Sequence, residues 1–184
     1  MRTAGTLLMV AVAVLAQATI VNRLPFEWGP DLVLAAVVAV ALTTNPAAAA
    51  GCGFAAGLAM DALPPAEHPM GRYALVLCVA AYLVSLLRAN TGLGGAVGNA
   101  VSNWTALGIT AVTAVGVGLT YALVGFLMGD ANITLAAVSV RVGVGALLTT
   151  LFATVVTLPI LWVRTSLAES DLATIQGPTS IRGW

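Results

Sequence analysis

The side chains that could do chemistry in this chain are gathered between Asp61 and Arg72. Glu67 and His68 lie between these two, in a stretch interrupted by prolines. One histidine with one acid supplies too few ligands for a metal site. The two cysteines of the chain lie inside apolar runs, without the spacing of metal ligands. We therefore predict no metal site, and we place Glu67 and His68 in a solvated loop.

Catalysis and cofactor binding would require groups that the sequence does not bring together. A hydrolase needs a nucleophile with a base and an orienting acid, and an intramembrane protease needs a serine–histidine pair or two aspartates within its spans. The single histidine lies outside the apolar segments, and Asp61 stands by itself near the end of one. A glycine-rich phosphate loop is also missing from the sequence. These observations predict a protein that is not an enzyme and that holds no cofactor.

The composition predicts an integral membrane protein. Of the 184 residues, 60% are hydrophobic and 8% are charged, and the mean hydropathy is +1.01. A soluble domain usually carries about a quarter charged residues. The formal net charge is zero, so the sequence offers no excess of positive charge for binding nucleic acid.

Six apolar segments predict an all-α fold of about six transmembrane helices. They cover residues 3–21, 31–44, 47–63, 73–87, 104–128 and 140–163. We expect a transmembrane domain of residues 1–163, with Pro159 bending or relaxing the last turn of its last helix, and a polar C-terminal tail of residues 164–184. With six spans, the seven arginines divide four to three in favour of the side that holds the termini, which predicts cytoplasmic termini.

The second and third segments are short for a crossing, because the hydrocarbon core needs about 20 helical residues. They form a buried helical hairpin, a re-entrant pair, or one long run broken at Asn45–Pro46. Merging the two would leave five spans. Cleavage of the first segment as a signal peptide, at the pattern Ala16–Gln17–Ala18, would do the same, although we favour a retained first helix.

The third segment carries Gly53, Gly57 and Asp61 at four-residue intervals, which places them on one helix face. Glycines at this spacing let two helix backbones approach closely. The neighbour is either a helix of the same bundle, which we favour, or a helix of another protein. Asp61 either pairs with Arg72 across the following loop or lies in the headgroup region. We favour the pair, because an unpaired ion is costly near hydrocarbon.

Further residues are predicted to support this segment. Gln17 either hydrogen-bonds across helices or sits at the membrane interface. Pro30 fits the first turn of the second helix, and Asp31 in that turn complements the positive end of the helix dipole. Gly71 and Arg72 open the fourth segment, and the arginine can extend its charge toward water.

The first half of the chain combines three motifs that point to a known family. In order, they are Pro30–Asp31 before an apolar run, the run Gly53–Phe54–Ala55–Ala56–Gly57–Leu58 followed by Asp61, and Gly71 at the next segment. Together they resemble the MreD family of rod shape-determining membrane proteins over roughly residues 3–88. The second half is similar to that family in hydropathy only.

The resemblance implies a non-enzymatic six-helix protein of the bacterial inner membrane, with a fold similar to the S components of energy-coupling-factor transporters. It implies binding to MreC, a one-span partner in the complex that organises peptidoglycan synthesis. A RodA-type glycosyltransferase and a penicillin-binding transpeptidase are further implied partners. Gly53, Phe54, Gly57 and Asp61 are then candidates for helix packing or for the partner interface.

A second hypothesis is a substrate-binding membrane subunit of a vitamin-type transporter. Such a subunit needs a pocket with a few converging polar groups in an apolar cavity. The apolar segments offer few such groups, so we favour the scaffold.

Overall fold

The computed structural model describes residues 2–23, 29–63, 70–92, 101–128 and 135–175, and the elements within these ranges are all helical. Glu67 and His68 lie outside the described residues. The helices are α1 (Arg2–Thr19), α2 (Leu32–Ala41), α3 (Pro46–Ala62), α4 (Arg72–Thr91), α5 (Asn103–Leu127) and α6 (Leu135–Ile175), with a 3₁₀ turn at Val21–Arg23. The predicted all-α fold is confirmed.

Among the described residues, four segments are long and apolar enough to cross a membrane. They are Ala4–Arg23, Arg72–Thr91, Asn103–Leu127 and Val138–Val163. This finding confirms the predicted membrane protein with several transmembrane helices. The helix α2 has 10 residues, or about 15 Å, and is much shorter than the hydrocarbon core. A total of six crossings stays a prediction.

The short helix α2 forms the centre of the bundle. Every residue from Val33 to Ala41 is buried, and the other five helices all contact α2. A helix that is apolar on all sides is stable only where protein or lipid covers it completely. The alanine- and valine-rich sequence of α2 suits this position, since its small side chains let the surrounding helices come close.

The turn between α2 and α3 ends one helix and begins the next. The side chain of Asn45 accepts a hydrogen bond from the Ala48 N–H at 2.9 Å, and Pro46 occupies the first helical position. Both are typical of a helix start. α3 runs antiparallel to α4, because Gly57 lies against Ala74 while Gly53 lies against Leu77 and Ala81. The structure thus has two separate helices in residues 31–63, with the break between them at residues 42–45.

The last helix is longer than expected. α6 passes through Pro159 and continues to Ile175, so the proline lies inside the helix and the expected tail begins as helix. The apolar part of α6 does end at Val163, where the transmembrane domain was expected to end. A proline removes one backbone hydrogen bond. Good helix formers after residue 163, such as alanine, leucine and glutamate, favour continuation.

Candidate functional site at the polar ends of α2

Asp31 connects three helices at the start of α2. It is the N-cap of α2, where its Oδ1 atom accepts a hydrogen bond from the Leu34 N–H at 2.8 Å. Its Oδ2 atom accepts a hydrogen bond from the Tyr73 hydroxyl of α4, and its own N–H donates to Thr149 Oγ1 of α6 at 2.9 Å. The carboxylate thus satisfies a backbone amide at the start of α2 and anchors α4 to it, while the backbone N–H of Asp31 anchors α6.

Gln17 of α1 also forms hydrogen bonds with the backbone at the start of α2. The side chain is 8% exposed; its Oε1 atom accepts a hydrogen bond from the Leu32 N–H at 2.8 Å, and its Nε2 atom donates to the Pro30 carbonyl at 3.1 Å. Gln17 therefore hydrogen-bonds across helices, the first of the two alternatives above. Pro30 precedes the N-cap Asp31 and so lies outside the helix, which corrects its expected place in the first turn. The helical hydrogen bonds of α2 begin with the Ala35 N–H donating to the Asp31 carbonyl, so the Pro30 carbonyl is left available for Gln17.

Asp61 connects the end of α3 to the start of α4 through hydrogen bonds. The residue is 2% exposed, and its Oδ2 atom accepts hydrogen bonds from the Gly71 N–H at 2.9 Å and the Ala74 N–H at 3.1 Å. A carboxylate in this position also faces the positive end of the α4 dipole. Gly71, the N-cap, has a φ of +94°, which a residue with a Cβ rarely adopts.

Arg72 makes its described contacts with α5. Its Nη2 atom donates to the Tyr121 carbonyl at 2.6 Å, and the guanidinium carbon lies 3.9 Å from the centre of the Tyr121 ring. That geometry is a cation–π contact. The Tyr121 ring also meets the Tyr73 ring edge-on, with the centroids 6.3 Å apart. The Asp61–Arg72 pair stays a prediction, but both residues belong to the same end of the bundle.

The sequence interpretation did not single out Tyr73, Tyr121 or Thr149, although the structure makes all three parts of this cluster. One general signal could have found them. Polar side chains within apolar spans are costly unless they have partners, so each is a candidate for a contact between helices.

Gly53 and Gly57 of α3 pack inside the protein. A Cβ atom placed on Gly53 would lie 2.5 Å from the Leu77 carbonyl oxygen, and one on Gly57 would lie 2.5 Å from the Ala74 Cα atom. These distances mean that the backbones of α3 and α4 touch at both positions. The Gly53/Gly57 face is therefore covered by α4 and does not face a helix of another protein. Phe54 lies on a different face and is 47% exposed.

The other end of α2 carries a second set of polar groups. The Thr44 carbonyl accepts hydrogen bonds from Ser85 Oγ at 2.7 Å and from Arg88 Nη1 at 3.3 Å, both on α4. The Thr43 and Thr44 hydroxyls donate to the Val40 carbonyl at 3.0 and 2.7 Å. Both ends of the buried helix are thus hydrogen-bonded, as buried backbone groups must be.

The chemistry of the two ends is that of helix capping and helix-to-helix contact. Among the described residues, no group of three histidine, cysteine, aspartate or glutamate side chains could hold a metal ion. Comparison with protein-family models, with curated proteins and with solved structures finds no match to this chain. Membership of the MreD family therefore stays a prediction from the sequence motifs.

Proposed function

We propose that this protein is a non-catalytic scaffold of the bacterial inner membrane that binds the transmembrane helix of an MreC-like one-span protein. In this role it helps to position the enzymes of peptidoglycan synthesis, among them a RodA-type glycosyltransferase and a penicillin-binding transpeptidase. The proposal starts from the MreD-like motifs. In the structure, their polar residues Asp31 and Asp61 hold helix ends together, a role that suits a scaffold.

A second small-residue face on α3 carries the proposal. Ala47, Gly51 and Ala55 are exposed at four-residue intervals, with the exposed Phe54 beside them. A Cβ atom on Gly51 would meet no atom of the described residues within 4 Å, in contrast to the covered Gly53. Membrane helices associate through small residues at this spacing, because their backbones can then approach closely. This face leaves room for one further helix beside the bundle.

The test is co-purification with the MreC-type protein of the same organism, expressed together with this chain. Ala55→Leu should weaken recovery of the partner about tenfold, since a bulky side chain would separate the two helices. Ala11→Leu, which also changes an exposed alanine of a transmembrane helix, is the matched control and should leave recovery unchanged. Gly116→Leu tests the exposed face of α5 as a second candidate interface, by the same measurement of partner recovery.

Two results would overturn the proposal. Equal recovery with Ala55→Leu and Ala11→Leu would show that the α3 face is not the interface. Purification with a bound vitamin-like molecule and without the one-span protein would favour the transporter-subunit hypothesis instead.

A further inference from the structure

An open cleft lies at the end of α2 that is remote from Asp31. It is bounded by the turn between α2 and α3 and by the last turns of α4, and its volume is about 500 Å³. The residues that matter for its chemistry are Thr43, Thr44, Asn45, Ser85, Arg88 and Ala89.

Arg88 gives this cleft a positive charge. Among the described residues that line the cleft, it is the one charged side chain, and none of them is an aspartate or glutamate. Its bond to the Thr44 carbonyl is long, at 3.3 Å, and Ser85 shares that carbonyl at 2.7 Å. In the part of the chain that the structure describes, the other N–H groups of Arg88 have no acceptor. A guanidinium whose N–H groups are not all hydrogen-bonded favours the binding of an anion at a concave surface. Its planar geometry suits phosphate oxygens.

The arginine, and not the neighbouring helix end, supplies the attraction. α3 begins at the cleft, but its Ala48 N–H already donates to the Asn45 side chain and its Ala49 N–H to the Asn45 carbonyl, each at 2.9 Å. The anion would therefore depend on the side chain of Arg88.

The position of the cleft points to a lipid as the source of the anion. Arg88 lies in the last turn of the span Arg72–Thr91, and such a position falls near the headgroup level of a bilayer. Toward the middle of the span, Leu83 and Leu87 are 55% and 47% exposed on α4. Exposed leucines on a membrane-spanning helix face lipid, so acyl chains surround the helix that carries Arg88.

We infer that this cleft binds the phosphodiester of an anionic phospholipid, with Arg88 donating hydrogen bonds to the phosphate oxygens. The inference is independent of the proposed scaffold function, because it concerns a different surface and a different ligand.

The test is native mass spectrometry of the full chain in detergent, titrated with phosphatidylglycerol or with phosphatidylcholine of the same acyl chains. Phosphatidylglycerol should be retained preferentially. Arg88→Gln should weaken this retention about tenfold or more, the effect of losing a charged hydrogen-bond donor. Arg141→Gln is the control, since Arg141 is an exposed arginine near the start of the α6 span.

Ala89→Phe provides a second variant, which keeps the charge but fills the cleft from an exposed position. It should reduce retention like Arg88→Gln, and it protects the test in case Arg88→Gln fails to fold. Equal effects of Arg88→Gln and Arg141→Gln, or full retention by Ala89→Phe, would overturn the inference. Displacement of the lipid by millimolar glycerol phosphate, with tighter binding of that soluble ester, would also overturn it and assign the cleft to a soluble phosphate.

Discussion

The carboxylate of Asp61, near the end of α3, accepts a hydrogen bond from the backbone N–H of Ala74, in the first turn of α4, at 3.1 Å. The same oxygen accepts a second bond from the Gly71 N–H at 2.9 Å. A side chain of one helix thus caps the next helix. Asp61 replaces the usual N-cap side chain of α4, because Gly71, in the N-cap position, has no side chain that could accept these bonds.

Asp61→Leu should lower the free energy of unfolding by about 1–3 kcal/mol, because two amides at the start of α4 lose their acceptor. Asp61→Asn keeps an acceptor oxygen and loses only the charge near the helix dipole, so it should cost less, about 0.3–1 kcal/mol. Thermal unfolding of both variants in the same detergent measures the difference. Equal losses would contradict the capping role.

Gly57→Ala should destabilise the protein by about 1–3 kcal/mol, because the added methyl group would press on the backbone of α4. The nearest atom, Ala74 Cα, would lie 2.5 Å from the new Cβ atom. Gly51→Ala is the matched control on the same helix, where a Cβ atom meets nothing within 4 Å. It should be neutral or stabilising by up to about 1 kcal/mol, the helix preference of alanine over glycine. Similar melting shifts in the two variants would argue against backbone contact between α3 and α4.

Tyr73→Phe should cost about 1 kcal/mol of stability, because it removes the hydrogen bond to Asp31 without changing the ring. Tyr82→Phe is the comparison, since Tyr82 lies on the same helix but is 44% exposed. Chemical denaturation in mixed micelles provides the measurement. A larger loss for Tyr82→Phe than for Tyr73→Phe would show that the Asp31 cluster does not hold the bundle together.

Local sequence signals predicted most helix ends well. The third and fifth segments, expected at residues 47–63 and 104–128, match α3 and α5 within one residue at each end. Asn45–Pro46 marks the start of α3 because the Asn45 side chain accepts a hydrogen bond from an amide only three residues away. A signal of this kind involves no distant residue and can therefore be read from the sequence. The end of α6 was predicted less well, because hydropathy shows where the apolar part stops and not where the helix stops.

The candidate site was predicted only in part. Asp31, Gln17 and Asp61 stand out in the sequence because polar side chains in apolar surroundings need partners. Their partners do not stand out. Thr149 lies 118 residues from Asp31 along the chain, and only the packing of α6 beside α2 brings the two together.

The sequence by itself determined the class of this protein. Hydrophobic composition is a sum over the whole chain, and apolar runs and helix caps depend only on residues close together in the sequence, so none of them requires knowledge of the tertiary structure. The tertiary structure decided that α2 lies at the centre, that α4 covers the Gly53/Gly57 face, and that Asp61 caps α4. These outcomes depend on which helix faces meet. In a membrane, nearly every face is apolar, so hydrophobicity alone does not select the neighbour; close packing of small residues and satisfaction of buried polar groups do.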